Sequence, residues 1–191
     1  MFRTVFLTIF RFDFMAASNR IVLASLVTMI PILGRAAELE PLCAEHTSRI
    51  WGVPVALLEA IHEVEGGNPG VTRRNRNGSI DLGAMQHNSR TANDLKNRYG
   101  VDPKSLLWSE CYAVYVSGWT LATSAYKHKD WRMAVAAYNA GDGAVERALK
   151  RHRSIPIDIG ELDLPDWTKH HYVPRVMSAW ARYAARPSKE K

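Results

Sequence analysis

The sequence predicts a single all-α domain of six to eight helices. Three observations carry this expectation. Apolar residues recur at spacings of three and four through most of the chain, as helices with one buried stripe require. Period-2 alternation is scarce, so strands are not expected to shape the fold. Glycine and proline fall between the periodic stretches, at positions 52, 54, 66–70, 100, 103, 141–143 and 156–165, where one helix would end and the next begin.

Composition agrees with a packed domain. The 191 residues suffice for one sizeable core, and 47% hydrophobic with 23% charged residues makes disorder the wrong default. The net charge is +6, unevenly placed. Arg3, Arg11, Arg20 and Arg35 stand against Asp13 alone in residues 1–36, leaving +3 for the remainder. So small an excess is weak support for a nucleic-acid surface, and it suits an anionic polymer such as a cell wall equally well.

Residues 1–36 read as an export signal. Arg20 precedes an apolar run from Ile21 to Leu33, too short to span a bilayer comfortably, and Gly34 and Ala36 set up cleavage near Ala36–Ala37. An uncleaved anchor is the competing reading. Met15 offers an alternative start, which would leave a compact signal. The expected location is therefore the periplasm. Cys43 and Cys111 are the two cysteines, and in an exported chain an even pair favours a disulfide over two buried thiols.

The domain is placed at 37–186. Its first helix is expected over 41–50, stopped by Gly52, and a second follows Pro54. In that second helix Leu57, Leu58, Ile61 and Val64 form one stripe, ended by Gly66-Gly67-Asn68-Pro69-Gly70. Residues 71–87 read as a polar loop, with Asn77-Gly78 as a turn and Ser79-Ile80-Asp81 as a short extended piece. Ser89 or Thr91 would cap a helix over 92–99. Pro103 opens a long helix to about 127, where Gly118 suggests close helix packing. Further helices are expected over 131–139, capped by Asp130, and over 144–151. A loop follows at 154–165. The last helix starts at Asp166, bends at Pro174, and leaves 187–191 as a mobile tail.

Three acids lie near the end of the second helix. Glu59 and Glu63 are four apart and share a face. Glu65 lies about 200° on from Glu63, nearer the side of Leu58, Ile61 and Val64. A carboxyl on that side meets apolar groups, so its pKa should rise, which suits a general acid. On the helix alone, a solvated residue at a frayed end is the favoured reading.

Four segments occur in order downstream. They are Glu65-Gly66-Gly67-Asn68-Pro69, Asp81-Leu82-Gly83-Ala84-Met85-Gln86-His87-Asn88, Ala134-Val135-Ala136-Ala137-Tyr138-Asn139-Ala140-Gly141 and Tyr172-Val173. Together they resemble the soluble lytic transglycosylase domain family, which has a goose-type lysozyme-like fold. The resemblance covers roughly residues 41–180. With Arg74-Asn75-Arg76-Asn77-Gly78-Ser79-Ile80-Asp81 and the cysteine pair, the pattern looks closest to the transglycosylases that accompany type IV secretion and conjugation systems.

The resemblance implies a lysozyme-like domain with a substrate groove. It implies cleavage of the MurNAc-β-1,4-GlcNAc bond of peptidoglycan with closure of a 1,6-anhydro ring. Glu65 matches the single catalytic acid. Gly83, Met85, Gln86 and Asn88 match the turn that walls the cleft. Tyr138 and Asn139 match the motif bordering that Glu, the Tyr hydroxyl able to hold its carboxylate, and Tyr172 matches a late tyrosine nearby. One carboxylate suffices for such a reaction, unlike in two-carboxylate hydrolases. The implied partners are glycan strands and components of a secretion or conjugation apparatus. No cofactor, metal or nucleic acid is expected, and the chain is read as a monomer. The sequence departs from the family at Gly66, where many members have Ser, at Ala84 and His87, and in a Glu-to-Asn-Pro spacing one residue shorter.

These departures keep Glu63 as the fallback acid. Asp81 reads first as a turn-capping residue and second as a helper in water attack. His87 reads as a groove-lining or hydrogen-bonded residue rather than a metal ligand. His152, His170 and His171 lack a ligand constellation. A lysozyme-type hydrolase and a non-catalytic wall-binding module are the alternatives.

Overall fold

The computed structural model of the chain describes residues 39–152 and 157–187. The expected export signal lies outside them, as does the expected tail apart from residue 187.

The described residues form eight α-helices and one small sheet, so the all-α expectation holds. Helix α1, Pro41–Trp51, opens on proline at its first position and stops at Gly52. Helix α2, Val55–Glu65, buries Leu57, Leu58, Ala60, Ile61 and His62, the stripe expected from spacing. Full burial of each large aliphatic side chain in that stripe stabilises by roughly 2 kcal/mol. Pro54 stands one position before the helix rather than in its first turn.

The expected polar loop is an antiparallel sheet. Strands β1 (Thr72–Arg74), β2 (Ile80–Leu82) and β3 (His87–Asn88) lie in that order. Arg73 faces Asp81 across the first pair, and Asp81 faces Asn88 across the second. Asp81 therefore sits in the central strand and caps no turn. The turn belongs to Asn77, whose Oδ1 accepts hydrogen bonds from Ser79 N and Ser79 Oγ.

Helix α3, Ser89–Tyr99, starts three residues before its expected position. Asn88 is its cap, accepting from Arg90 N, because the Ser89 hydroxyl is engaged in accepting from Ile80 N. The long helix expected from 103 is broken into α4, Pro103–Trp108, and α5, Glu110–His128. Ser109 is extended there and its hydroxyl accepts from Tyr112 N. The Leu107 carbonyl accepts from Gly70 N, so the loop after α2 competes for the backbone at the break.

Helices α6, Trp131–Ala140, and α7, Asp142–Arg151, meet at Gly141. The last expected helix begins as a π-helical segment, Thr168–Tyr172, and continues as α8, Val173–Ala184. Pro174 follows the wide turn, where its missing N–H leaves a carbonyl without an α-helical donor.

Helix α2 packs along α8, and α5 packs between α1 and α6. The core is built from Leu57, Leu58, Ile61, Val114, Leu121, Met133, Val135 and Val176, all essentially without exposed surface. Gly118 marks a close approach, as its position suggested. A Cβ there would run into the Thr47 side chain of α1. The Cys43–Cys111 disulfide joins α1 to the start of α5, with Cα atoms 4.9 Å apart.

Candidate active site

Glu65 is the last residue of α2, and its partners come from the sheet, the π segment and α8. Tyr172 closes the π segment and donates its hydroxyl proton to Glu65 Oε1 at 2.6 Å. From β1, Arg73 donates through Nη1 to the Glu65 backbone carbonyl at 3.2 Å. The residue keeps some surface, yet its carboxyl is enclosed. Desolvation pushes the carboxyl pKa up to about 7. The Tyr172 hydrogen bond opposes that rise, the charge of Asp81 adds to it, and the charges of Arg73 and Arg175 oppose it. A carboxyl so placed gives and takes a proton near neutrality.

The fallback acid is excluded by its partner. Glu63 Oε1 accepts from Arg182 Nη2 at 2.7 Å, and that hydrogen bond holds the Glu63 pKa below the ordinary carboxylate value. Glu63 therefore stays ionised where a proton donor is needed.

The glycine-rich turn lies against the loop that follows Glu65. A Cβ on Gly67 would collide with the Gly83 and Ala84 carbonyls and press on Gln86 Nε2. Gly83 has φ +68° and no room for a side chain against the Leu106 carbonyl. His62, buried in α2, is hydrogen-bonded to the Gly67 backbone and fixes the same loop from below. Gln86 has φ +49°, a left-handed conformation that costs about 1 kcal/mol or more for a non-glycine residue. Its Nε2 donates to Gly83 O at 2.7 Å, while its Oε1 is buried without a partner. Strain and an unpaired buried acceptor coincide on the residue that touches Gly67.

The other expected site residues divide into two sets. Gly83 and Met85 are buried, and Met85 has no exposed surface, so its side chain belongs to the core and not to a cleft wall. Asn88 uses its amide inside the sheet. Its Nδ2 donates to Ser79 Oγ and Asp81 Oδ1, and its Oδ1 caps α3. Asn139 is exposed, its Oδ1 accepting from Thr168 Oγ1 at 2.7 Å. That bond ties α6 to the segment carrying Tyr172.

Tyr138 does not hold the Glu65 carboxylate. Its hydroxyl donates to Met85 O at 2.9 Å and meets Ser117 Oγ at 2.9 Å. The proton positions along this line follow from counting. Tyr138 has one proton, given to Met85, so Ser117 donates to Tyr138. Ser117 then has none left for His87, whose Nε2–H points to Ser117 Oγ and Ala113 O, each at 3.0 Å. Burial lowers the His87 pKa, which agrees with a neutral ring in one fixed tautomer. Of the two expectations for His87 the hydrogen-bonded one holds: it is a buried strut beneath the turn. Ser117, Thr168 and His62 were not singled out from sequence. Ser117 alone left a trace, as a small polar residue on the apolar face of α5.

The grip of Tyr172 on Glu65 has a direct test. Tyr172→Phe removes a donor that favours the carboxylate, so the Glu65 titration midpoint should move above its wild-type position near 7. Carboxyl carbon NMR of Glu65 reads this without any assay of turnover. A midpoint that stays or falls rules the role out.

The Transglycosylase SLT domain family matches residues 43–159. Invasion protein IagB from Salmonella typhimurium, strain SL1344, is 36% identical over 100 residues, 52% of this chain and 62% of its own length. Its counterpart from Salmonella typhi matches to the same extent. The chain thus spans less than two thirds of the relatives it matches. The X-ray structure of an inactive mutant of lytic transglycosylase Slt from Pseudomonas aeruginosa shares the fold, with a TM-score of 0.61. The match has 22% identity and covers 78% of this chain and 24% of that one.

Proposed function

The chain belongs to the transglycosylase SLT domain family, and from that premise we propose that it is a peptidoglycan lytic transglycosylase. The observation that carries the reading is one carboxyl at the end of α2, titrating near 7 under the Tyr172 hydroxyl. In its protonated form Glu65 gives its proton to the glycosidic oxygen between N-acetylmuramic acid and N-acetylglucosamine, and the C1–O bond breaks. The carboxylate left behind takes the proton of the muramoyl C6 hydroxyl as that oxygen attacks C1. The ring closes as a 1,6-anhydro product, no water is consumed, and Glu65 regains its starting proton. Each half of the cycle needs a group that is acid and base at similar pH, which a pKa near 7 supplies.

Tyr172 steadies the carboxylate between the two transfers. The exposed Asn139 amide is a donor left for sugar groups. The setting of the reaction is the periplasm, after export on residues 1–36. The task is local opening of the wall for a secretion or conjugation apparatus. The Arg74–Asp81 pattern supports that task, and the relatives bear the name invasion protein.

Mass spectrometry of products released from purified sacculi tests the reaction. Muropeptides lighter by one water than their reducing counterparts are the expected result. Reducing ends would instead support a hydrolase with Asp81 as helper, the reading favoured by the Asp81 charge that reaches Glu65. Binding of sacculi with no release would leave a wall-binding module.

A further inference from the structure

A groove of about 350 Å³ opens on the seam of α2 and α8, beside the candidate site and distinct from it. Its lining includes Glu63 and Val64 from α2, His170 and His171 from the π segment, and Arg175 and Arg182 from α8. The π segment explains why this groove and the Glu65 carboxyl are neighbours. It sends Tyr172 inward to Glu65 while the two preceding histidines line the groove. The groove lining thus includes the residues directly preceding Glu65 and Tyr172.

The charge in the groove is one-sided. Two arginines meet a single carboxylate, and that carboxylate, Glu63, is bound by Arg182 at 2.7 Å, which leaves the Arg175 charge over. Arg175 is exposed and makes no hydrogen bond or ion pair among the described residues. Its charge is nevertheless felt at Glu65. Open to solvent and carrying one unpaired guanidinium, the groove fits a carboxylate on a side group. Its volume falls within the ordinary range for small-molecule sites.

Resting on the function proposed above, we infer that this groove is an anion subsite, in which Arg175 receives a carboxylate carried by the glycan next to the cleaved bond. Two sources share that chemistry: the lactyl carboxylate of muramic acid, and the carboxylates of an attached acidic peptide. Arg175 is then a specificity residue, separating carboxylated glycans from neutral ones.

Calorimetric binding to the full-length Glu65→Gln protein tests this without turnover. Three oligosaccharides of equal length serve as probes: N-acetylglucosamine alone, alternating N-acetylglucosamine and N-acetylmuramic acid, and the alternating oligomer with its peptides. A carboxylated probe should bind about tenfold tighter than the neutral one, the size of one charge-assisted contact. Adding Arg175→Ala should reduce that ratio to near one, and Arg175→Lys should restore part of it. A preference seen already without peptides assigns the lactyl group, and one seen only with them assigns the peptide. Equal binding of all three by the parent, or a ratio unmoved by Arg175→Ala in a protein of unchanged melting temperature, overturns the inference. Product release from sacculi by the wild type is scored separately. Release with no preference sinks the subsite alone, whereas absence of release together with absence of binding sinks both.

Discussion

Glu65→Gln abolishes release of muropeptides from sacculi, slowing it by about a thousandfold or more, and leaves a folded protein. The magnitude follows from loss of general acid and base action at the same atom, each worth roughly a hundredfold or more. Gln keeps an oxygen that can accept the Tyr172 hydrogen bond, so the site should hold its shape. Retention of activity within tenfold of wild type would remove Glu65 from the reaction.

The same substitution carries a stability signature with a fixed sign. The native Glu65 pKa is raised, to about 7 from an ordinary 4.5. Between these values the folded protein keeps a proton that the unfolded chain has released. Stability is therefore highest below the lower value and falls as pH rises through the upper one. The gap corresponds to about 3 kcal/mol at most by pH 9. Gln cannot ionise, so the variant should melt above wild type at pH 8–9 and lose the advantage near pH 4. A variant both inactive and more stable in alkali would show that the carboxyl is kept at a cost to the fold. A melting difference independent of pH would contradict the burial on which the acid role depends.

Much of this site could be read from the chain because it lies on helices. The three-and-four spacing of Leu57, Leu58, Ile61 and Val64 fixed the inner face of α2, and Glu65 followed by phase. The sheet could not be read, because strands of two or three residues are too short to display alternation. It is held by turn chemistry at Asn77 and by Asn88 reaching to Asp81, contacts between positions seven or fewer residues apart that polarity alone disguises as loop. The break at Ser109 was invisible for a different reason. Local propensity favours continuing the helix, and the competing partner, Gly70, is distant in sequence.

The two tyrosines show the limit of motif reading. Tyr138 is near enough to the site for Glu65 to raise its pKa further, but its hydroxyl is already engaged with Met85 and Ser117. Only the wide π turn brings Tyr172 to the carboxylate, and a wide turn has no sequence signal beyond Pro174 after it. The same turn sets Thr168 against Asn139. A single backbone irregularity therefore organises the second half of the site. Gln86 was found by motif, whereas its strained backbone and unpaired oxygen, which give the motif a physical reason, needed the fold.

Loss of the disulfide is the largest stability effect expected anywhere in the chain. Cys43 and Cys111 close an interval of 68 residues. By loop entropy that constraint is worth about 4 kcal/mol, which for a domain of this size is a melting shift of roughly 10 °C. Helix α1 needs the staple because its own buried face is thin: Cys43, Ala44 and Thr47. Cys111 is exposed, so a reductant has access to the bond. Cys43→Ser with Cys111→Ser, and wild type in reductant, should melt lower by similar amounts. Hydrogen exchange should quicken first in α1 and at the start of α5. Near Glu65 it should change least, because α2 leans on α8 and the Tyr172 bond lies beyond the staple. Equal loss of protection in α2 and α1 would show that the staple supports the site itself. An unchanged melting temperature would show that α1 is held by its packing on α5 and α2 and not by the bond.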